Sequence, residues 1–234
     1  MILPTHDKMK TDNASFLDLQ NSAYRSLRNA VISGVFRPGE KISIRRIAKT
    51  LGLSLTPVRE ALKRLATEGA LLYEPYKSMR IPVLSEAELT ELWMMRGLLE
   101  GAAAQQSSMN MDTSTLEELY SIEIKFEKAH LKSNREEVAR LNANFHMVLY
   151  KASGFPRFLD AIDRLWLNVA PMLSLYYSEG VRSSATGSKS LHNEILKAIK
   201  NRQHTQVREL VEQDIHSSLE TLKAFASNFK LNDK

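Results

Sequence analysis

Apolar residues in the first third of the chain recur at helical spacing, broken by glycine. Tyr24, Leu27 and Val31 lie three or four apart, and Gly34 follows as a stop signal. "RPGEK" (37–41) is a turn. Ser43 then caps a short helix with Ile44, Ile47, Ala48 and Leu51 on its apolar face, and Gly52 ends it. The next helix starts at Ser54 or Thr56, with Pro57 in its first turn, where a missing N–H is tolerated. Val58, Ala61, Leu62 and Leu65 give it a buried stripe, and Gly69 closes it. Two short helices around a tight turn form a helix-turn-helix. Beyond Gly69 the period changes to two short strands, Leu72–Glu74 and Met79–Val83, around a turn at Pro75–Ser78, with Pro82 confining the second to an edge. Lys77 and Arg80 fall at or near the tip of this hairpin.

From Ser85 onward glycine and proline are sparse and the helical period dominates. Ser85 and Glu88 form a capping box ahead of Leu89, Leu92, Met95 or Arg96, and Leu99. Further helices read at about 115–132, 135–152, 156–178, 190–200 and 205–229, with one longer connection at 178–188 that reads as a mobile loop. The fold predicted is mainly α: a tail (1–15), a winged helix-turn-helix with a small β-hairpin (16–84), and an all-α bundle of about six helices (85–234).

Composition narrows the class. The 234 residues are 43% hydrophobic, which is enough for a packed core. No stretch has the roughly 18 uncharged apolar residues of a membrane span, and "MILPTHDKMKTDNAS" lacks the apolar centre of a signal peptide. Cysteine is absent, which rules out disulfides, thiolate metal clusters and cysteine nucleophiles. The expectation is a cytoplasmic protein without a membrane partner. Residues 1–84 hold 14 Lys/Arg against 7 Asp/Glu, a net of +7, whereas the remainder carries a net of −2. A basic excess confined to one third of the chain points to a polyanion-binding module joined to something else.

"SLTPVREAL" (54–62) sharpens this. Arg59 lies near the positive end of its own helix, where the macrodipole disfavours a cation by a few tenths of a kcal/mol. An external anion reverses that balance. A recognition helix enters the major groove N-terminus first. Its first-turn N–H groups then face a phosphate, and Arg59 pairs with phosphate or with guanine O6/N7, a contact of about 1–3 kcal/mol. Double-stranded DNA is the anion expected.

No G-x-S-x-G or H-E-x-x-H motif is present, and "TGSKS" (186–190) lacks the spacing of a phosphate loop. The histidines carry more information. Asn142 and His146 are four apart and share a helix face, His192 opens a helix, and His216 borders an apolar stripe of Val211, Ile215, Leu219 and Leu222. Their residue types fit either hydrogen-bonded core positions or a divalent metal site. Arg96 is placed to pair with Glu100 one turn on.

"ISGVFRPGEKISIRRIAKTLGLSLTPVREALKRLATEGAL" closely resembles the winged-helix domain of GntR-family bacterial transcription regulators. The resemblance implies DNA contacts from Arg45, Ser54, Thr56 and Arg59; Arg46 beside Arg45 and Lys77 in the wing complete the candidate set. Leu55 stands where the family usually has a DNA-contacting arginine; it either packs on a thymine methyl or forgoes one phosphate contact. Ser78 stands where the wing often has glycine.

"LSEAELTELWMMRGLLEGAAA", "NANFHMVLYKASGFPRFL" and "LHNEILKAIKNR" resemble the FCD effector domain of the FadR subfamily within that family. This implies a homodimer, a small carboxylate effector contacted by Arg96 and Asn142, and a divalent metal, zinc or nickel, at His146, His192 and His216. Asn142 replaces the family's aspartate and removes its anionic ligand, so metal alone is expected to bind weakly. The function expected is operator-DNA binding controlled by that effector. Two alternatives compete: a metal-dependent helical enzyme using the three histidines, for which Glu194 is the one candidate base, and a DNA-architectural protein without a ligand.

Overall fold

A computed structural model describes residues 15–74, 78–178 and 191–232. The tail before Ser15, the wing turn with Lys77 and most of the 178–188 loop fall outside the described residues. Two compact units are present, Met1–Val83 with Trp166–Met172, and Leu84–Leu165 with Leu173–Lys234.

In the first unit the elements run α1 (Phe16–Ile32), β1 (Lys41–Ile42), α2 (Ile44–Leu51), α3 (Leu55–Thr67), β2 (Leu72–Glu74) and β3 (Ser78–Arg80). Ser15 and Asp18 form a capping box for α1, and Ser43 caps α2 through the Arg46 N–H. Gly52 ends α2 at φ 67°, a left-handed conformation that costs glycine little. Leu27, Val31, Ile47, Val58, Leu62 and Leu65 build the core between the three helices. The sheet order is β1-β3-β2, antiparallel throughout, with Ile42 opposite Met79 and Tyr73 opposite Met79 from the other side.

Two expectations for the wing are corrected. The two-residue strand β1 was not foreseen, and it makes β3 the central strand rather than an edge. Pro82 is tolerated because β3 ends before it; beyond the strand, Ile81 exchanges hydrogen bonds with Glu40 O and the Gly39 N–H, both at 3.0 Å.

The second unit is helical: α4 (Glu86–Asn110), α5 (Thr113–Leu131), α6 (Arg135–Lys151), α7 (Pro156–Ser178, whose Trp166–Met172 stretch belongs to the first unit), α8 (Leu191–Lys200), α9 (His204–Ser217) and α10 (Leu219–Asn232). Ser85 and Glu88 do form the capping box of α4. α9 lies closely along α4 because two glycines face it. A Cβ on Gly97 would stand 3.2 Å from His216 Cε1, and one on Gly101 would stand 2.8 Å from Glu212 Oε1.

The long helix expected over 205–229 is two helices, broken at Ser218. The indole N–H of the fully buried Trp93 donates to Ile215 O (2.8 Å), the carbonyl that would otherwise accept from Leu219. It also lies 3.1 Å from Ser218 Oγ. A tertiary contact outcompetes one helical bond, and the ladder is interrupted although Ser218 keeps helical dihedrals (φ −91°, ψ −17°). No described helix is long and apolar enough to cross a membrane.

Candidate nucleic-acid interface and candidate metal centre

The solvent face of α3 is formed by Leu55, Thr56, Arg59 and Lys63, while Pro57, Val58, Ala61, Leu62 and Leu65 face inward. Ser54 is the N-cap residue, but its side chain makes no cap hydrogen bond, unlike Ser15, Ser43 and Ser85. The first-turn N–H groups therefore remain available to an external acceptor. Ser54, Thr56, Arg59 and Arg45 are all exposed. Arg46 is exposed too, but it pairs with Glu40 at 2.9 Å, and Glu40 also accepts from the Arg37 N–H. The turn glutamate thus ties α2 to the segment before β1. Arg64, which the sequence did not single out, serves the scaffold: it stacks 3.6 Å over the Tyr24 ring and bonds Glu68, which accepts from the Tyr24 hydroxyl at 2.7 Å. This cluster fixes α1 against the recognition helix.

In the helical unit, α6 and α8 bring His146 and His192 together, with their Nε2 atoms 3.4 Å apart. The third member of the cluster is Asp214 on α9, whose Oδ2 lies 3.2 Å from His146 Nε2. His216 is not part of it. Two residues further along the helix it is exposed, its ring lies beside Gly97 of α4, and its Nδ1 donates to Glu212 O at 2.7 Å. The expected set of three histidines is thereby corrected to two histidines and a carboxylate. The anionic ligand that Asn142 lacks is present on another helix.

Both rings are oriented from behind. His192 Nδ1 lies 2.7 Å from Glu123 Oε2, and Phe145 stacks on the ring at 3.9 Å between centroids. A carboxylate only accepts, so Nδ1 is the protonated nitrogen and Nε2 faces the cluster with its lone pair. His146 Nδ1 lies 3.0 Å from the Tyr150 hydroxyl, which donates to Glu100 Oε2 at 2.8 Å. Glu100 is also held by Arg96 Nε at 2.7 Å, in a fully buried pair. Burial and the neighbouring Glu100 charge push the Tyr150 phenol well above its usual value of 10, so it remains a hydroxyl. Its one hydrogen goes to Glu100, so His146 Nδ1 donates to its oxygen, and His146 Nε2 faces His192 Nε2 and Asp214 Oδ2. Two imidazole nitrogens and a carboxylate converge within 4.8 Å of one another, a donor set that can hold a metal ion.

Asn142 adds a fourth group. It is buried, and its Oδ1 has no hydrogen-bond partner. An orphaned carbonyl oxygen of this kind costs about 1–3 kcal/mol unless something fills the place of the missing donor. It lines a cavity with Arg96, His146, Asp214, Leu173 and Tyr176 that measures about 20 Å³, room for about one water or ion. Arg96 pairs with Glu100, as its spacing suggests, and also lines this cavity. Tyr150 and Glu123 escaped the sequence reading, as did the bond from Tyr150 to Glu100.

Burial holds the His192 imidazole below its ordinary 6.5, although the bond to Glu123 works the other way. The unfolded chain takes up a proton near pH 6.5 that the folded chain resists. Bound protons are then more numerous in the unfolded state, and stability falls as pH drops through that value. The urea midpoint of metal-free protein is expected to be lower at about pH 5.5 than at about pH 7.5; an unchanged or higher midpoint contradicts the assignment.

A three-helix unit with a small antiparallel wing, in a chain that also holds a helical unit with a buried polar cluster, defines a winged-helix DNA-binding protein with a second domain. Sequence comparison agrees. Residues 19–81 match the pattern of "Bacterial regulatory proteins, gntR family", and residues 91–217 match the FCD domain. The chain belongs to the GntR family of bacterial regulators and carries an FCD domain. It is 30% identical over 175 residues to the HTH-type transcriptional regulator McbR of Escherichia coli K12, covering 75% of this chain and 77% of that one. The gluconate operon transcriptional repressor of Bacillus subtilis is 26% identical, over 84% of this chain and 80% of the relative. The structure of E. coli McbR/YncC superposes with a TM-score of 0.78 at 25% identity, covering 90% of this chain and 98% of that chain. The protein is thus a DNA-binding transcription regulator and not an enzyme; the metal-dependent enzyme alternative has no support, and Glu194 is exposed.

Proposed function

We propose that this regulator, of the FadR branch, binds its operator as a homodimer and that a small organic acid, together with a divalent metal in the helical unit, sets its DNA affinity. The observation that carries this reading is the convergence of His146, His192 and Asp214 beside the orphaned Asn142 carbonyl in the interior of the helical unit. These residues fit a metal ion: two neutral imidazoles, one anion and one carbonyl oxygen suit zinc or nickel. The bound ion supplies a Lewis-acidic contact for a carboxylate. Asp214 leaves one positive charge on a divalent ion, and an effector carboxylate neutralises it in a medium where uncompensated charge is costly. The cavity has no room for an organic acid as it stands, so effector entry requires Leu173 and Tyr176 to move. That movement is the differential interaction through which a ligand biases one conformation over another.

Sugar acids are the first class to screen, since one relative is the repressor of a gluconate operon. A thermal-shift screen of mono-, di- and sugar acids, each with and without zinc or nickel, tests the reading. An effector at about 100 times its Kd stabilises by about 2.7 kcal/mol, and more with metal than without. No response to any acid in either condition removes effector control.

Dimerisation follows from geometry, since one recognition helix reads only a few base pairs and useful specificity needs two half-sites related by a two-fold axis. Light scattering is expected to give twice the 26.5 kDa protomer mass. A monomer, with and without operator, refutes the dimer. The protein so described acts in the cytoplasm, on the nucleoid.

A further inference from the structure

The face of α3 that presents Arg59 also presents a leucine. Leu55 is the first residue of the helix and is 42% exposed. It stands four positions before Arg59, so the two side chains project from the same side, one turn apart. Thr56 and Lys63 complete that face and are polar, and all the other apolar residues of α3 up to Leu65 point into the core. Leu55 has no part in that core, and capping belongs to Ser54. Single exposed leucines need no explanation on an ordinary surface. Here the surface is the part of the protein that enters the major groove first, where a solvated leucine displaces water from base edges without returning a hydrogen bond.

Only one feature of the major-groove edge rewards an isobutyl group, the 5-methyl group of thymine. We propose that Leu55 is a specificity-determining residue that packs against one thymine methyl in each half-site. Four residues of helix span about 6 Å, and bases on one strand are spaced by about 3.4 Å. The thymine therefore lies within about two base pairs of the base or phosphate engaged by Arg59. Leu55 excludes cytosine from that position as well, because the amino group of cytosine would lose its hydrogen-bonded water against the leucine. The inference rests on α3 being the recognition helix.

The test begins with the operator that the full-length protein enriches from random duplex DNA. Each thymine is then replaced in turn by uracil, which removes the methyl group alone. Wild-type affinity is expected to fall about fourfold at one thymine per half-site, the effect of one buried methyl group, and to be unchanged at the others. Leu55→Ala should bind thymine and uracil duplexes equally while melting at the wild-type temperature. Indifference of the wild type to uracil at every position overturns the proposal, as does retention of the discrimination by Leu55→Ala. Enrichment of no sequence overturns the recognition-helix assignment and the Leu55 proposal together, and is distinguished from the other two by the lack of any operator.

Discussion

Arg59→Ala is expected to abolish operator recognition while leaving the fold intact. Arg59 is exposed on α3 and contributes nothing to the core of its unit, so its removal should not move the melting temperature. Each bidentate contact to a guanine edge supplies about 1–3 kcal/mol. Loss in both half-sites of a dimer removes about 2–6 kcal/mol, or about 30- to 10⁴-fold in affinity. Non-specific binding should persist, because it depends on the summed basic charge of the unit. Lys77→Ala makes the contrast: all DNA is bound more weakly, and the salt slope falls by about one for each phosphate that the lysine had neutralised. A gel shift in which Arg59→Ala retards the operator as wild type does refutes the assignment of α3.

The second large effect concerns the cluster in the helical unit. Asp214→Ala should reduce zinc or nickel affinity by more than the 10- to 100-fold that loss of an outer-shell partner typically costs, since it removes the one anionic ligand. His216→Ala should leave affinity within about twofold, because that side chain lies outside the cluster and bonds Glu212 O. Tyr150→Phe should fall between them by releasing the ring of His146. Asn142→Asp, which adds a second anion, should tighten metal binding in effector-free protein. Calorimetric titration of the four variants ranks them; a His216→Ala protein that loses metal while Asp214→Ala keeps it reverses the ligand set proposed.

The parts of this architecture that were legible in sequence are those fixed by local chemistry. Gly52 and Pro57 punctuate the helix-turn-helix because left-handed backbone and a missing N–H are tolerated at so few positions. The Ser85–Glu88 capping box announces α4 for the same reason. The parts that escaped are set by distant partners. Trp93 breaks the last helix from 122 residues away, and no local pattern carries that information. β1 has two residues and pairs with a strand across the unit, too short for any period to show.

The error at His216 is different, because the signal was there. Val207, Leu210, Val211 and Ile215 define the buried stripe of α9. Steps of three and four from Leu210 and Val211 reach Asp214, whereas His216 lies about 200° around the helix from it. Choosing the residue type that resembles a ligand, rather than the position that faces inward, selected the wrong side chain. Tyr150 and Glu123 could not have been read this way, since their roles arise only where α4, α5, α6 and α8 meet.

The unused cap at Ser54 sets two requirements against each other at one residue. A side chain that satisfied the first-turn N–H groups from within would firm α3 by about 1 kcal/mol. It would also withdraw those donors from a phosphate, and an acidic cap would repel the phosphate outright. Ser54 is small enough to leave the donors open and neutral enough to let the anion approach. The recognition helix is thus held below the stability its length allows, and DNA supplies the missing acceptor, so the helix is most complete when it is bound.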